Sequence, residues 1–209
     1  MNTAVTPAEL AAAIRSHASR GRVVIALAGA PGSGKSTLAE WLAARLNEDS
    51  PDSAAVLPMD GYHFDDRVLE ARGLRARKGA PDTFDVAGLH HMLARLKRNE
   101  EDEVAVPVFD RDLEIARAGA RLIPRSVCIL IVEGNYLLLD RTPWSGLRNL
   151  FDMTVMIEVP VETLRARLRK RWVGYGLSPD QITTKLEDND LPNGRLVSDF
   201  SVAADFVTS

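Results

Sequence analysis

The 209-residue chain holds a single cysteine, Cys128, so no intrachain disulfide can form. Its thiol lies inside the apolar run Val127-Cys128-Ile129-Leu130-Ile131-Val132, where free cysteine packs as a small hydrophobe. No apolar run approaches the ~18 residues of a membrane span. The N-terminus also lacks the basic segment and apolar core that open a signal peptide. A cytoplasmic protein with no membrane partner is the expectation. An excess of basic charge is missing as well. The net charge is −3, which argues against a broad surface for nucleic acid or anionic lipid. With no internal repeat, low-complexity tract or interdomain linker, one domain over 1–209 is expected, a size ordinary for a single α/β unit.

What is present alternates short β-branched runs with helical patterns. Residues 22–28, 54–59, 127–132, 153–159 and 200–207 read as strands. Thr6-Pro7-Ala8-Glu9 has the form of a capping box with proline at the first helical position, predicting a helix over 6–19. Further helices are expected over 35–46, 86–96 and 162–173, and one is opened by a second box, Ser178-Pro179-Asp180-Gln181. Residues 104–109 and part of 116–123 read as a hairpin projecting from the sheet. Residues 61–83 are polar, basic and glycine-bearing, and a loop that long inside a compact domain is usually a lid or binding loop. The pattern predicts an α/β fold, a mostly parallel five-stranded sheet between two helical layers.

Between the first strand and its helix, Gly29-Ala30-Pro31-Gly32-Ser33-Gly34-Lys35-Ser36, followed by Thr37, matches G-x-x-x-x-G-K-[ST] at every fixed position. The glycines let backbone N–H groups turn inward onto phosphates, and the following helix N-terminus adds partial positive charge. Lys35 is expected on the β- and γ-phosphates of ATP, and the Ser36 hydroxyl on Mg²⁺. The motif predicts a three-layer sandwich of the P-loop NTPase type. Guanine-reading GTPases carry Asn-Lys-x-Asp late in the chain, and none is present. Asp85-Val86-Ala87-Gly88 matches D-x-x-G but opens a helix, so Asp85 reads as its N-cap. The chain is short for a motor ATPase.

Two strands end in carboxylates, at Pro58-Met59-Asp60-Gly61 and at Ile131-Val132-Glu133-Gly134. The carboxyl ends of strands form the ligand crevice of doubly wound sheets. Asp60 there would take the proton of an acceptor hydroxyl, or simply shape the turn before Gly61. Glu133 would orient the water shell of Mg²⁺, or make a structural hydrogen bond. Five basic residues in seven (Arg165, Arg167, Arg169, Lys170 and Arg171) repel one another on a free helix. A polyphosphate would relieve that repulsion; so would a solvated face balanced by neighbours such as Glu162.

Taken in order, the phosphate loop, Met59-Asp60-Gly61-Tyr62-His63, Pro81-Asp82-Thr83-Phe84-Asp85, Val106-Pro107-Val108-Phe109-Asp110 and Val132-Glu133-Gly134-Asn135 resemble the uridine kinase, pantothenate kinase and phosphoribulokinase superfamily. The run 77–85 and Asn189-Asp190-Leu191-Pro192-Asn193 are similar to bacterial members labelled nucleoside or fructose-transport-system kinases. The likeness covers about residues 20–207. It implies Asp60 as catalytic base, Asp82 on sugar or polyol hydroxyls, the basic helix as a lid over about 165–177 with Arg167 and Arg171 at the transferring phosphoryl group, and Asn189 and Asn193 beside adenine. The acceptor is expected between the 61–83 loop and the hairpin, against Tyr62, His63, Asp82, Phe84, Phe109 and Arg111. Uridine kinases place Tyr-Asp and then a base-reading His after the hairpin strand. Here Phe109-Asp110 is followed by Arg111-Asp112-Leu113-Glu114-Ile115, with no His, which puts uridine in doubt. The expected activity is transfer of the ATP γ-phosphoryl group to a hydroxyl of a sugar, nucleoside or pantothenate-like metabolite. A nucleotide-dependent regulatory ATPase accessory to a transporter is the other reading. A homodimer is compatible with the sequence.

Overall fold

The computed structural model describes residues 3–17 and 21–209. In chain order the elements are β1 (Thr3–Ala4), α1 (Pro7–His17), β2 (Val23–Gly29), α2 (Lys35–Asp49), β3 (Ala54–Pro58), α3 (Asp66–Ala71), α4 (Val86–Arg98), β4 (Glu103–Asp110), β5 (Ile115–Pro124), β6 (Ile129–Gly134), β7 (Met153–Ile157), α5 (Val161–Gly174), α6 (Pro179–Lys185), α7 (Leu191–Phe200) and β8 (Phe206–Thr208). The Thr6–Glu9 box is formed, with Glu9 N donating to Thr6 Oγ1 at 3.3 Å and Thr6 N to Glu9 Oε2 at 2.7 Å. The expected end of that first helix, at 18–19, lies outside the described residues.

The main sheet runs β1-β8-β7-β2-β6-β3 with every pairing parallel. It therefore has six strands where five were expected. The addition is β1, whose two residues are too few to show a period. The last strand also corrects the expected 200–207. Leu191, Gly194 and Val197 are buried at helical spacing and carry the chain as α7 to Phe200, leaving only Phe206–Thr208 as strand. Both faces of the sheet are covered, as parallel sheets require. Val23, Ile25 and Leu27 of β2 pack with Leu10 and Ile14 of α1 and with Leu42 and Leu46 of α2. Val24, Ala26 and Ala28 face the other way, onto Leu89, Leu93 and Leu96 of α4 and Val197 of α7.

The segment 61–83 is structured, not a bare loop. It holds α3 and short 3-10 turns at Met59–Tyr62, Arg75–Arg77 and Pro81–Thr83. The projecting hairpin is an antiparallel β4–β5 pair whose register shifts between Val106 and Val108. Pro107, which has no N–H to give, sits at that irregularity. Its carbonyl comes so close to Gly61 that a Cβ there would meet it at 2.6 Å. Glycine is what lets the hairpin lean over the end of β3.

Arg22, 5% exposed, joins the hairpin to the sheet. Its guanidinium donates to the carbonyls of Val127 at 2.7 Å, Leu96 at 3.0 Å and Pro124 at 2.7 Å. Arg22→Met fills similar volume but leaves three carbonyls without their donor. A loss of about 3 kcal/mol or more is expected, since an unsatisfied buried group costs roughly 1–3 kcal/mol. Urea unfolding checks this, and a loss under about 1 kcal/mol would contradict it.

Candidate active site

Three neighbouring parallel strands end together. Register pairs Leu27 of β2 and Pro58 of β3 with Glu133 of β6. The phosphate loop leaves β2, Asp60 follows β3 by two residues, and Glu133 closes β6. The lid helix α5 lies on the loop. Gly32 has φ 79°, and a Cβ on it would meet Leu168 Cγ at 2.9 Å, so glycine serves both the turn and the close packing. Leu164 and Leu168 point inward onto Ala30, Ile182 and Leu186.

The basic residues of α5 divide by face. Arg167 donates to the Ser33 carbonyl at 3.0 Å, and Arg171, one turn on, lines the cavity above Lys35. Arg165 is tied to Glu187, a structural role. Arg169 and Lys170 are exposed and make no ion pair among the described residues.

The cavity at the strand ends is lined by Pro31, Lys35, Ser36, Asp60, His63 and Phe84 on the sheet side. Phe109 and Arg111 from the hairpin, Lys78 and Gly79 from the 61–83 segment, and Asn189 and Asn193 complete it. Burial pushes the Lys35 ammonium below its ordinary range, against the pull of Glu133 and Asp60. Burial pushes the Glu133 carboxyl up, Lys35 opposing and Asp60 adding to the push. Burial acts the same way on Asp60, but His63, Arg111 and Lys35 outweigh it and hold that carboxyl below its usual range. Arg111 donates to Asp60 Oδ2 at 2.6 Å. No group of three His, Cys, Asp or Glu able to hold a metal exists among the described residues. A divalent cation here would depend on phosphate oxygens together with Ser36 and the Glu133 carboxylate, as Mg²⁺ sites commonly do.

Not every expected residue reaches this cavity. The Tyr62 ring turns into the core, 7% exposed. Asp82 lines a separate cleft with Arg77, Arg141 and Asn193. Asn189 and Asn193 do line the main cavity: Asn193 Nδ2 donates to Asn189 Oδ1 at 3.1 Å, and Asn189 Nδ2 to the Lys78 carbonyl at 2.9 Å. On the far side of Ala30 a second cleft runs along Ile157–Pro160, Leu164 and Ser201–Ala204. Lys78 and Asn135 line the main cavity. Both lie in the runs that carry the family likeness, yet neither residue type signals a role by itself.

A family model described as "Phosphoribulokinase / Uridine kinase family" matches residues 24–188. The chain belongs to this family. It is an ATP-dependent kinase, with the α/β architecture of its solved relatives. The crystal structure of a "putative fructose transport system kinase" from Silicibacter sp. TM1040 superposes with TM-score 0.90 at 42% identity, over 97% of this chain and 98% of that one. A "putative uridine kinase" of Schizosaccharomyces pombe is 34% identical over 89% of this chain and 82% of its own length. The pantothenate kinase of Streptomyces avermitilis is 33% identical over 71% of this chain but only 46% of its own. No helix among the described residues is long and apolar enough to cross a membrane.

His63 is held between Phe84 and Phe109, ring centroids 4.0 and 4.7 Å away. Its Nδ1 lies 2.8 Å from the Asp60 carbonyl oxygen, which can only accept, so Nδ1 carries the proton and Nε2 keeps its lone pair. Burial lowers its pKa, Asp60 pulls it back up, and Lys78 and Arg111 add to the lowering. The ring is therefore neutral at neutral pH. An NMR titration should place the His63 midpoint below 6.5, the ordinary value. A midpoint above that value would contradict the assignment.

Proposed function

We propose that this kinase transfers the γ-phosphoryl group of Mg²⁺-ATP to a hydroxyl of a small metabolite, a sugar, nucleoside or pantothenate-like compound, bound between the 61–83 segment and the hairpin. One observation carries the reading: Asp60 and Lys35 face one cavity, a carboxylate opposite the phosphate loop with an acceptor-sized space walled by His63, Phe84 and Phe109. A regulatory ATPase has no use for an aromatic-walled acceptor space beside that carboxylate. Acceptor OH transfers its proton to an Asp60 oxygen, and its oxygen forms the new bond to Pγ. The bond from Pγ to the bridging oxygen breaks, and ADP leaves with that electron pair. Lys35, Arg167 and Arg171 balance the charge on the phosphoryl oxygens. Mg²⁺, held through Ser36 and Glu133, would neutralise β- and γ-phosphate charge when bound. The cleft beyond Ala30 is free for the nucleoside end of ATP, and His63 Nε2 for a hydroxyl of the acceptor.

Lys35→Ala should lose nearly all transfer while the protein stays folded, read as ADP release with circular dichroism as the control. Near wild-type turnover would remove the reading. Asp60→Asn keeps the shape and removes the base. Turnover should fall about 10²–10⁴-fold, typical of general-base loss, equal to roughly 3–5 kcal/mol, with ATP affinity little changed. Normal turnover would shift the role elsewhere, Glu133 first. Collapse of ATP binding would make Asp60 a residue serving the metal.

A further inference from the structure

A carboxylate that is to accept a proton should not be tied to a guanidinium, because the ion pair stabilises the charged form and weakens the base. Asp60 is so tied, by Arg111 at 2.6 Å. Among the described residues only one N–H of Arg111 is engaged and its other donors have no hydrogen-bond partner, and the side chain is half exposed. Arg111 stands 5.8 Å from the centroid of the Phe109 ring, and Lys78 Nζ stands 5.2 Å from the same centroid. Two cations therefore bracket one aromatic wall of the acceptor space.

Lys78 is fixed in place. Its carbonyl accepts from Asn189, the next carbonyl, of Gly79, accepts from the Tyr136 hydroxyl at 2.6 Å, and its ammonium donates to Asp66 at 2.7 Å and to the Glu114 carbonyl at 2.6 Å. Its side chain is only 8% exposed. Asp66 is shared with Arg75 at 2.8 Å, so one carboxylate answers two cations. Around the whole cavity, Lys35, Arg75, Lys78, Arg111, Arg171 and Lys185 face Asp60, Glu114 and Asp190. The triphosphate of ATP engages Lys35 and Arg171. On the acceptor side Lys78 and Arg75 share Asp66, and the remaining donors of Arg111 find no anionic partner in a neutral polyol.

Resting on the kinase reading above, we propose that the acceptor is a hydroxyl compound bearing an anionic group, a carboxylate or a phosphate. That group binds Arg111 beside Lys78 and thereby draws Arg111 off Asp60. Arg111 is thus a latch that keeps the base occupied until the correct acceptor arrives. A hydroxyl compound without the anion leaves the latch shut, and so does water, which guards ATP against hydrolysis.

The test uses the full chain saturated with Mg²⁺ and a non-hydrolysable ATP analogue, so that the phosphate loop is filled. Inorganic phosphate and malonate are then titrated separately, by calorimetry and by following the His63 ring signals. Saturable binding of at least one anion, with a shift of those signals, is expected. Arg111→Gln should weaken it at least tenfold, Lys78→Gln should weaken it too, and Arg111→Lys should recover part of the affinity. The anion preferred tells a carboxylate acceptor from a phosphorylated one. Absence of binding at tens of millimolar, or wild-type affinity in Arg111→Gln, overturns the proposal and leaves the kinase reading standing. Failure of the ATP analogue to bind overturns both. Glycerol, glycerate and glycerol 3-phosphate, compared as acceptors under ADP-release assay, give a second arm. Turnover of the neutral compound equal to or above the charged ones also overturns it.

Discussion

Everything in the site hangs on one buried ammonium. Lys35 is set at the first turn of α2 by the phosphate loop, and it enters a space where burial disfavours its charge. Two carboxylates make that charge tolerable, and both arrive by strand register. Because β3, β6 and β2 run parallel and in step, Glu133 and Asp60 come to the same level beyond the sheet without any long-range loop being placed accurately. The arrangement is mutual. Glu133 without Lys35 would be a buried carboxylate pushed to its neutral form. A carboxylate–ammonium–carboxylate group of this kind stores negative charge beside the place where phosphates enter, and the cationic lid then has charge to meet from both sides.

The lid is bound to the loop by apolar contact before any charge is considered. Leu168 against Gly32 and Leu164 against Ala30 fix the rotation of α5, and that rotation sends Arg167 to the Ser33 carbonyl and Arg171 into the cavity above Lys35 while Arg165 turns to Glu187. Five basic residues on one helix therefore do different things. Two face the phosphate loop and its cavity, one serves the packing of α5 on the segment before α7, and two meet solvent. On one face Arg167 meets the Ser33 carbonyl, and on the other water and Glu187 relieve the repulsion along the helix.

Much of this was legible from residue order. The phosphate loop needs specific residue types at fixed spacing, so it and its flanking strand and helix can be read directly. Asp60 and Glu133 were readable because each ends an apolar run. The two-residue β1 was not, since no period exists in two residues. The end of the chain misled because the apolar residues between Phe200 and Val207 pass for one strand, whereas Phe200 closes α7 and only Phe206–Thr208 pair. The positions of Asp82 and Tyr62 depend on how the 3-10 turns around them rotate, and composition says nothing of that. Lys78 was hidden for another reason. A lysine in a basic loop looks like solvated surface, and only its fixation by Asp66, Asn189 and Glu114 marks it as part of a wall.

The hairpin supplies one wall of the cavity, through Phe109 and Arg111. It carries no part of the main sheet, and its role is to bring Phe109 and Arg111 over the end of β3. Two local features permit this: the register shift at Pro107 bends β4, and Gly61 leaves room for the Pro107 carbonyl. Arg22 then holds the base of the hairpin against β2 through three carbonyls, so the reach of Arg111 to Asp60 is set by rigid elements at both ends. On the proposed reading the phosphate loop and the lid handle ATP, while Asp60 serves both sides, lining the cavity with Lys35 and taking the acceptor's proton. On that reading acceptor choice rests on the few side chains presented by this hairpin and by the 61–83 segment, and Arg111, which reaches Asp60, ties that choice to the base itself.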